Sequence, residues 1–265
     1  MSLQDKKILL TGAAGGIGRL LALELAAKGA RLALVERDLA KAEVVCQEVA
    51  ALGGLAKPLV ADLSSAAGLE SLVQQAWDAL NGLDVLINNA GIMDFTRFEQ
   101  QDKKRIELTI NTNVTAAILL ARDAVPLFLK QGSGHIVNIG SALGTIGLAH
   151  YATYCASKFA MRGFSEALRR ELADNGIAVT YIAPRATKTP LNSENTIRMM
   201  EATGTAMDDP QKVAKIIANA IEQQRKEILI GQPEGFFAKL NGLLPQVVDL
   251  GLKQKTRIAR EFTGQ

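Results

Sequence analysis

Short apolar runs alternate along this chain with longer stretches whose apolar positions recur at three- and four-residue spacing, and glycine, asparagine or aspartate marks most of the joints. Lys7 to Leu10 reads as a strand, Arg19 to Lys28 as a helix, and Arg31 to Glu36 as a second strand. Leu39 to Leu52 has helical spacing and stops at Gly53-Gly54. A third strand, Leu55 to Ala61, ends at Asp62-Leu63-Ser64. Ala66 to Leu80 reads as one helix closed by Asn81-Gly82, and Asp84 to Asn88 as a β-branched-rich strand. Two helices follow, about Gln101 to Thr109 and Asn113 to Lys130. Then come strand His135 to Ile139, a long helix Tyr151 to Asn175, and strand Ile177 to Ile182. Asp208-Asp209-Pro210 caps a helix to about Gln224, and Glu227 to Ile230 is the last strand. Strands separated by helices throughout require right-handed crossovers and a parallel sheet. The expectation is one α/β domain over residues 1–265, with about seven strands in a three-layer α/β/α arrangement.

Two segments break the alternation. Periodicity fades from Thr187 to Met207, and a loop that long in a compact domain is expected to be a functional lid, here residues 187–209. The tail, 232–265, interleaves Phe236, Phe237, Leu240, Leu243, Leu244, Val247, Val248, Leu250, Leu252 and Ile258 with Lys239, Lys253, Lys255, Arg257 and Arg260. Such a basic amphipathic segment suits peripheral membrane contact, and equally suits packing on the domain or on a second subunit.

Composition narrows the class. The chain has 48% hydrophobic and 22% charged residues and a net charge of +3, the make-up of an ordinary globular protein. No basic run interleaved with aromatics marks the body as a nucleic-acid binder. Cys46 and Cys155 form no disulfide or metal pattern, which points to a reducing, cytoplasmic setting. The apolar patch near the start is too short for a signal peptide, and no uninterrupted apolar stretch approaches the roughly eighteen residues of a membrane span. His135 and His150 have no ligand cluster around them, so no metal is expected.

The candidate chemistry starts at Thr11-Gly12-Ala13-Ala14-Gly15-Gly16-Ile17-Gly18, between the first strand and the first helix. Phosphates need backbone N–H donors and the positive end of a helix, approached without a Cβ in the way. The spacing GxxxGxG differs from the commoner GxGxxG, so the usual fingerprint applies by analogy. In a doubly wound sheet the ligand lies at the carboxyl ends of the strands. Glu36-Arg37, Asp62, Asn88 to Gly91, Ser141 and Pro184 to Thr189 all fall there. Tyr154 and Lys158 are four apart on one helix and share a face. A free phenol titrates near 10, and an ammonium beside it stabilises the phenolate and lowers that value.

At these residues the chain resembles the short-chain dehydrogenase/reductase superfamily in its short, single-domain form, over roughly residues 5 to 231. TGAAGGIG matches the family's TGxxxGxG, Asn88-Asn89-Ala90-Gly91 its NNAG, and Tyr154 to Lys158 its YxxxK. Ser141 stands thirteen residues before the tyrosine, and Asn113 falls where the family has its helix asparagine. The resemblance implies a Rossmann-type fold and an NAD(P)-dependent enzyme interconverting an alcohol and a carbonyl. It also implies roles. Tyr154 would exchange the proton with the substrate oxygen, and Lys158 would hold the nicotinamide ribose and depress the phenol. Ser141 would polarise the substrate oxygen. Asn113 would hold a water that links Lys158 to solvent. Gly12, Gly15, Gly16, Ile17, Gly18, Asn89, Ala90, Gly91, Pro184, Thr187 and Thr189 would contact the cofactor, Thr189 at its carboxamide.

Asp62 and Leu63 would meet the adenine, with a helix cap as the other reading of Asp62. Glu36 favours NAD, since a carboxylate accepts from ribose hydroxyls and repels a 2′-phosphate, whereas Arg37 argues for NADP. NAD is the preferred expectation. The family usually has Pro-Gly after the sixth strand, and this chain has Pro184-Arg185, so Arg185 points to solvent or shapes the substrate end. Met93, Phe95, Ala142 to Leu148, Leu191, Met199 and Met200 are the expected apolar lining, suited to a small hydrophobic alcohol or carbonyl. A homodimer or homotetramer is expected through the helices starting near Asn113 and Tyr151. A non-catalytic nicotinamide-binding regulator or redox sensor is the other function class, but it has no need of Tyr154 and Lys158.

Overall fold

The strands that read as continuous apolar runs sit in the middle of the sheet. In the computed structural model, which describes residues 1–231 and 234–263 apart from the side chains of 234–236, 238 and 239, β1 (Lys7–Thr11), β4 (Val85–Asn88), β5 (Gly134–Ile139) and β6 (Ile177–Pro184) are buried almost throughout. Residues buried on both faces have no reason to alternate with polar ones. β2 (Arg31–Glu36) is similar, whereas β3 (Leu55–Val60) alternates and carries Pro58, a residue tolerated at an edge because it cannot donate to a neighbour. The order is β3-β2-β1-β4-β5-β6-β7, with β7 (Glu227–Ile230) at the far edge and every pairing parallel. The seven-stranded parallel sheet expected from the sequence is therefore present.

Helices cover both faces. One core joins the sheet to α1 (Gly16–Ala27), α2 (Leu39–Ala51) and α9 (Pro210–Glu222) through Leu21, Leu25, Val45, Val49, Val213 and Ile217. The other joins it to α4 (Leu72–Leu80), α6 (Ala116–Gln131) and α7 (Ala152–Glu171) through Leu72, Ala76, Leu120, Ala124, Phe128 and Leu168. The chain order reverses between β1 and β4, and the crevice opens at their carboxyl ends.

Three local expectations need correction. The helix expected over Ala66 to Leu80 is two pieces, α3 (Ala66–Leu69) and α4, separated at Ser71, whose φ is +59°. Gly68 packs so tightly on the loop before it that a Cβ there would lie 2.0 Å from the Asp62 carbonyl, which pins the first turn and forces a new start. The two middle helices are one continuous body, in which α5 (Lys103–Ile110) passes into α6 through a π-helical turn, Asn111–Thr115. By length and composition this body could cross a membrane, but its apolar side lies on the sheet. The segment expected to lack regular structure holds α8 (Glu194–Ala202), capped by the Ser193 hydroxyl accepting from Thr196 N–H at 3.2 Å.

The tail forms α10 (Glu234–Leu243) and α11 (Pro245–Arg260), which pack on each other. They also lie against the domain: the Asn241 amide donates to the Thr145 carbonyl at 3.2 Å, Arg97 donates to the Thr263 hydroxyl at 3.2 Å, and α11 packs on α8. Residues 232–233 and 264–265 of the expected tail, and the side chains of Phe236 and Lys239, lie outside the described residues.

Candidate active site

The glycine loop is shaped by contacts that a side chain would destroy. Gly12 has φ +65°, and a Cβ on Gly18 would sit 2.0 Å from the Gly12 carbonyl oxygen. Thr11, at the end of β1, accepts from the N–H groups of Asn89 and Ala90 at 3.0 and 3.1 Å, and the Asn89 amide donates to the carbonyls of Thr11 and Gly12. Asn89 is thus a brace between the two central strands as well as a wall of the crevice. α1 begins at Gly16 with no side-chain cap and no acidic residue in its first turn. Its first N–H groups and positive dipole end lie at the crevice, which Gly15, Gly16 and Gly18 line without side chains, and this fits a pyrophosphate.

Further along the same crevice, Glu36 closes β2, and its carboxylate accepts from Ala14 N–H at 2.6 Å. Arg37 beside it is exposed and lines the same cavity. Asp62 accepts from the backbone and the hydroxyl of Ser64, at 2.9 and 2.7 Å, and these bonds hold its carboxyl below the usual range. The cap of α3 is Ser65, so the capping alternative for Asp62 fails. Ala90, Gly91, Leu63, Ile17, Gly15, Pro184, Thr187 and Thr189 all line the cavity.

Around Tyr154 the cavity changes character. Tyr154 is 7% exposed and Lys158 4% exposed, with the Lys158 Nζ 5.6 Å from the Tyr154 ring centroid and donating to the Ile139 carbonyl at 3.1 Å. Burial pushes the phenol up to about 12, against the pull of the Ser141 hydroxyl beside it, and pushes the Lys158 ammonium down to about 8. The sequence leads one to expect Lys158 to lower the phenol; instead desolvation raises it, and Tyr154 is a neutral acid. Ser141 closes β5 and accepts from Leu143 N–H at 3.1 Å. Asn113 sits in the π turn. Its amide clamps Ile92 from both sides, at 2.8 and 2.9 Å, and reaches the Ser157 hydroxyl at 3.0 Å, tying the strap after β4 to α7. A π turn is a local insertion in the helical hydrogen-bond ladder, common at functional sites.

Arg185 is turned away from solvent, and it lines the cavity beside Pro184 and Ala186. It forms a two-pronged ion pair with Asp208, at 2.7 and 2.9 Å, where the 187–209 segment leaves and rejoins the body of the protein. Asp208 also accepts from Lys188 N–H and donates to the Ala186 carbonyl through its backbone. Of the expected substrate lining, Met93, Ala142, Leu143, Ile146, Leu148, Leu191, Met199 and Met200 face the cavity. Phe95 instead packs on Tyr151 at 5.1 Å between ring centroids, Gly144 lies under the Tyr181 hydroxyl, and Thr145 and Gly147 do not reach the cavity. What the sequence did not assign is the far wall: Tyr151, Phe237, Leu240, Val248, Leu252 and Ala259. For the five residues after position 236 the signal was the helical spacing of the tail. The cavity measures about 1190 Å³, more than one small ligand fills.

A dinucleotide cradle at the switch point of a parallel sheet, leading to a buried tyrosine, lysine and serine, defines a nicotinamide-dependent oxidoreductase. Comparison with known proteins agrees: the short chain dehydrogenase model matches residues 6–200. The chain belongs to the short-chain dehydrogenase/reductase family, whose members bind NAD or NADP. It is similar to the ketoacyl reductase HetN of Nostoc sp., 34% identical over 87% of this chain and 80% of that one. It is also similar to the 3-oxoacyl-[acyl-carrier-protein] reductase FabG of Vibrio cholerae, 28% identical over 82% of this chain and 90% of that one. Among solved structures, the 3-ketoacyl-(acyl-carrier-protein) reductase from Brucella melitensis complexed with NADH superposes with a TM-score of 0.79 at 27% identity, covering 88% of this chain and 99% of that one. A metagenomic short-chain oxidoreductase in complex with NADP gives 0.73 at 28% identity, over 86% and 98%.

Proposed function

We propose that this oxidoreductase interconverts a hydrophobic alcohol and its carbonyl, with NAD as the preferred cofactor. The carrying observation is the continuity of the cavity: from Tyr154 and Ser141 it runs on between Met199 and Met200 of the lid and Val248 and Leu252 of the tail, all apolar. Hydrophobic substrate surface leaves water there at about 25 cal/mol per Å². Glu36 supports NAD, because a carboxylate at the end of β2 repels a 2′-phosphate.

The glycine cradle would hold the pyrophosphate of the dinucleotide, whose nicotinamide would supply or accept the hydride beside Tyr154. The chain's own residues handle the proton. In reduction, Tyr154 Oη donates its proton to the carbonyl oxygen while the Ser141 hydroxyl donates a second hydrogen bond to that oxygen. The phenolate that forms is stabilised by the Lys158 ammonium, so the residue that burial holds neutral becomes anionic only as the reaction proceeds. Asn113 holds the strap and α7 in register, and the water it would carry lies on the path by which Lys158 is reprotonated. Residues 187–209 act as the lid, and the tail as its outer wall, within one domain. Partly exposed Leu119 on α6 and Phe159 on α7 support a homo-oligomer through those helices, and unpaired Cys46 and Cys155 suit a cytoplasmic setting.

The test is oxidation of NADH and NADPH with aldehydes and ketones of increasing chain length. Turnover that improves with length, prefers NADH and falls at least a thousandfold in Tyr154→Phe with NADH binding retained supports the proposal. Tight cofactor binding without turnover of any member, in wild type and variant alike, favours the sensor.

A further inference from the structure

The bend between α10 and α11 gathers an apolar surface that the fold leaves uncovered. Leu243 is 79% exposed, Leu250 74%, and Leu244 and Val247 about half. These four fall within eight positions, at the end of α10 and the start of α11, and apolar patches of that kind mark interaction sites. The opposite side of the same helices is anchored: Val248 and Ala259 are buried, and Arg198 stacks over Phe262 at 5.9 Å. The apolar side therefore faces outward.

Charge then selects the occupant. The turns of α11 after the bend carry exposed Lys253 and Arg257, neither in a salt bridge among the described residues, while Lys255 lines the cavity. On the helical wheel Lys253 and Arg257 lie on the same side as Leu250. An apolar tip followed by a basic collar matches the two layers of an anionic membrane surface, acyl chains within and phosphates above. We propose that this bend docks on an anionic lipid surface. Val247 is at once half exposed and a wall of the cavity, so docking lays the rim of the substrate cavity against the lipid. An apolar substrate dissolved in the bilayer then reaches Tyr154 without crossing water.

The test is sedimentation of the full chain with phosphatidylcholine vesicles and with vesicles containing phosphatidylglycerol. The proposal expects the wild type to sediment with the anionic vesicles and less with the neutral ones. It expects Leu243→Glu with Leu250→Glu to lose at least tenfold in partitioning, and Lys253→Glu with Arg257→Glu to lose the preference for anionic lipid. Neither pair lines the cavity, so NADH binding and circular dichroism stay unchanged and report that the variants fold. A wild type that ignores both vesicle types overturns the proposal. So does a leucine pair that lowers the molar mass in light scattering while leaving sedimentation unchanged, which assigns the patch to a second copy of the chain. Vesicle binding is read without turnover, so the result stands apart from the carbonyl assignment.

Discussion

Removing the Arg185–Asp208 pair should loosen the lid by an amount the structure allows to be worked out. Both side chains are about four-fifths shielded, and the guanidinium grips both carboxylate oxygens. Unit charges about 4 Å apart attract by roughly 4 kcal/mol at an effective dielectric of 20. Desolvation and side-chain ordering offset more than half of that, leaving a net coupling of about 1–2 kcal/mol for a two-pronged, partly buried pair. The pair joins residues 185 and 208, so the energy acts on the stem of the lid rather than on the sheet, where backbone bonds from Ala186 and Lys188 to Asp208 remain. Each 1.4 kcal/mol is a tenfold change in a population, so Arg185→Ala should raise the open fraction about tenfold. Exposed Lys188 in the lid gives trypsin a site whose cleavage follows that fraction when reclosing is fast. The expected result is cleavage about tenfold faster in Arg185→Ala and in Asp208→Ala, no faster still in the double variant, and a KM raised with kcat little changed. Additive effects of the two substitutions, or a cleavage rate equal to that of the wild type, would refute a clasp at this position.

Three further outcomes follow from other parts of the site. Gly18→Ala should raise the dissociation constant for NADH at least tenfold in a fluorescence titration, since its Cβ would meet the Gly12 carbonyl oxygen at 2.0 Å. Glu36→Ala should shift the ratio of kcat/KM toward NADPH by about tenfold or more, by removing the repulsion of a 2′-phosphate and leaving Arg37 to attract it; an unchanged ratio counts against the proposed role. His135 is buried against Thr180, and burial pushes it down to about 4 from an unfolded value of 6.5. The unfolded chain thus binds the extra proton first, so stability rises with pH across that window and is lost as pH falls below 6.5 toward 4. Between pH 7 and pH 5 this amounts to about 2 kcal/mol. Urea unfolding of the wild type against His135→Phe at both values checks it, the variant losing less.

How far the sequence reached depended on whether a feature was local. The strands and most helices were legible because each buried run carries its own period and its own stop, such as Asp209-Pro210 at the start of α9. Tyr154, Lys158 and Ser141 were legible as a spaced set, and they do meet at one end of one cavity. The break at Ser71 was hidden because it comes from Gly68 packing on a carbonyl outside the helix. α8 was hidden because only Thr196, Met199 and Met200 of its nine residues are buried, too few to stand out as a stripe. Arg185 was visible as an anomaly, but its partner lies 23 positions on, and nothing in the intervening pattern ties them.

The least legible feature is what keeps the reacting groups still. Behind Tyr154, the Asn88 amide donates to the Asn138 side chain at 2.9 Å, and Asn138 donates to the Ser165 hydroxyl at 2.8 Å, which donates to the Met161 carbonyl. This chain of fully buried polar groups fastens β4 and β5 to the middle of α7, while Asn113 and Ser157 fasten its first turns to the strap. Buried polar groups are costly unless satisfied, so each link admits few alternative positions for the helix. The Lys158 ammonium, 5.6 Å from the Tyr154 ring centroid, can stabilise a phenolate there only if that separation stays fixed. The polar chain supplies that constancy from the closed side of the helix, which leaves the open side, with its lid and tail, free to fit the substrate.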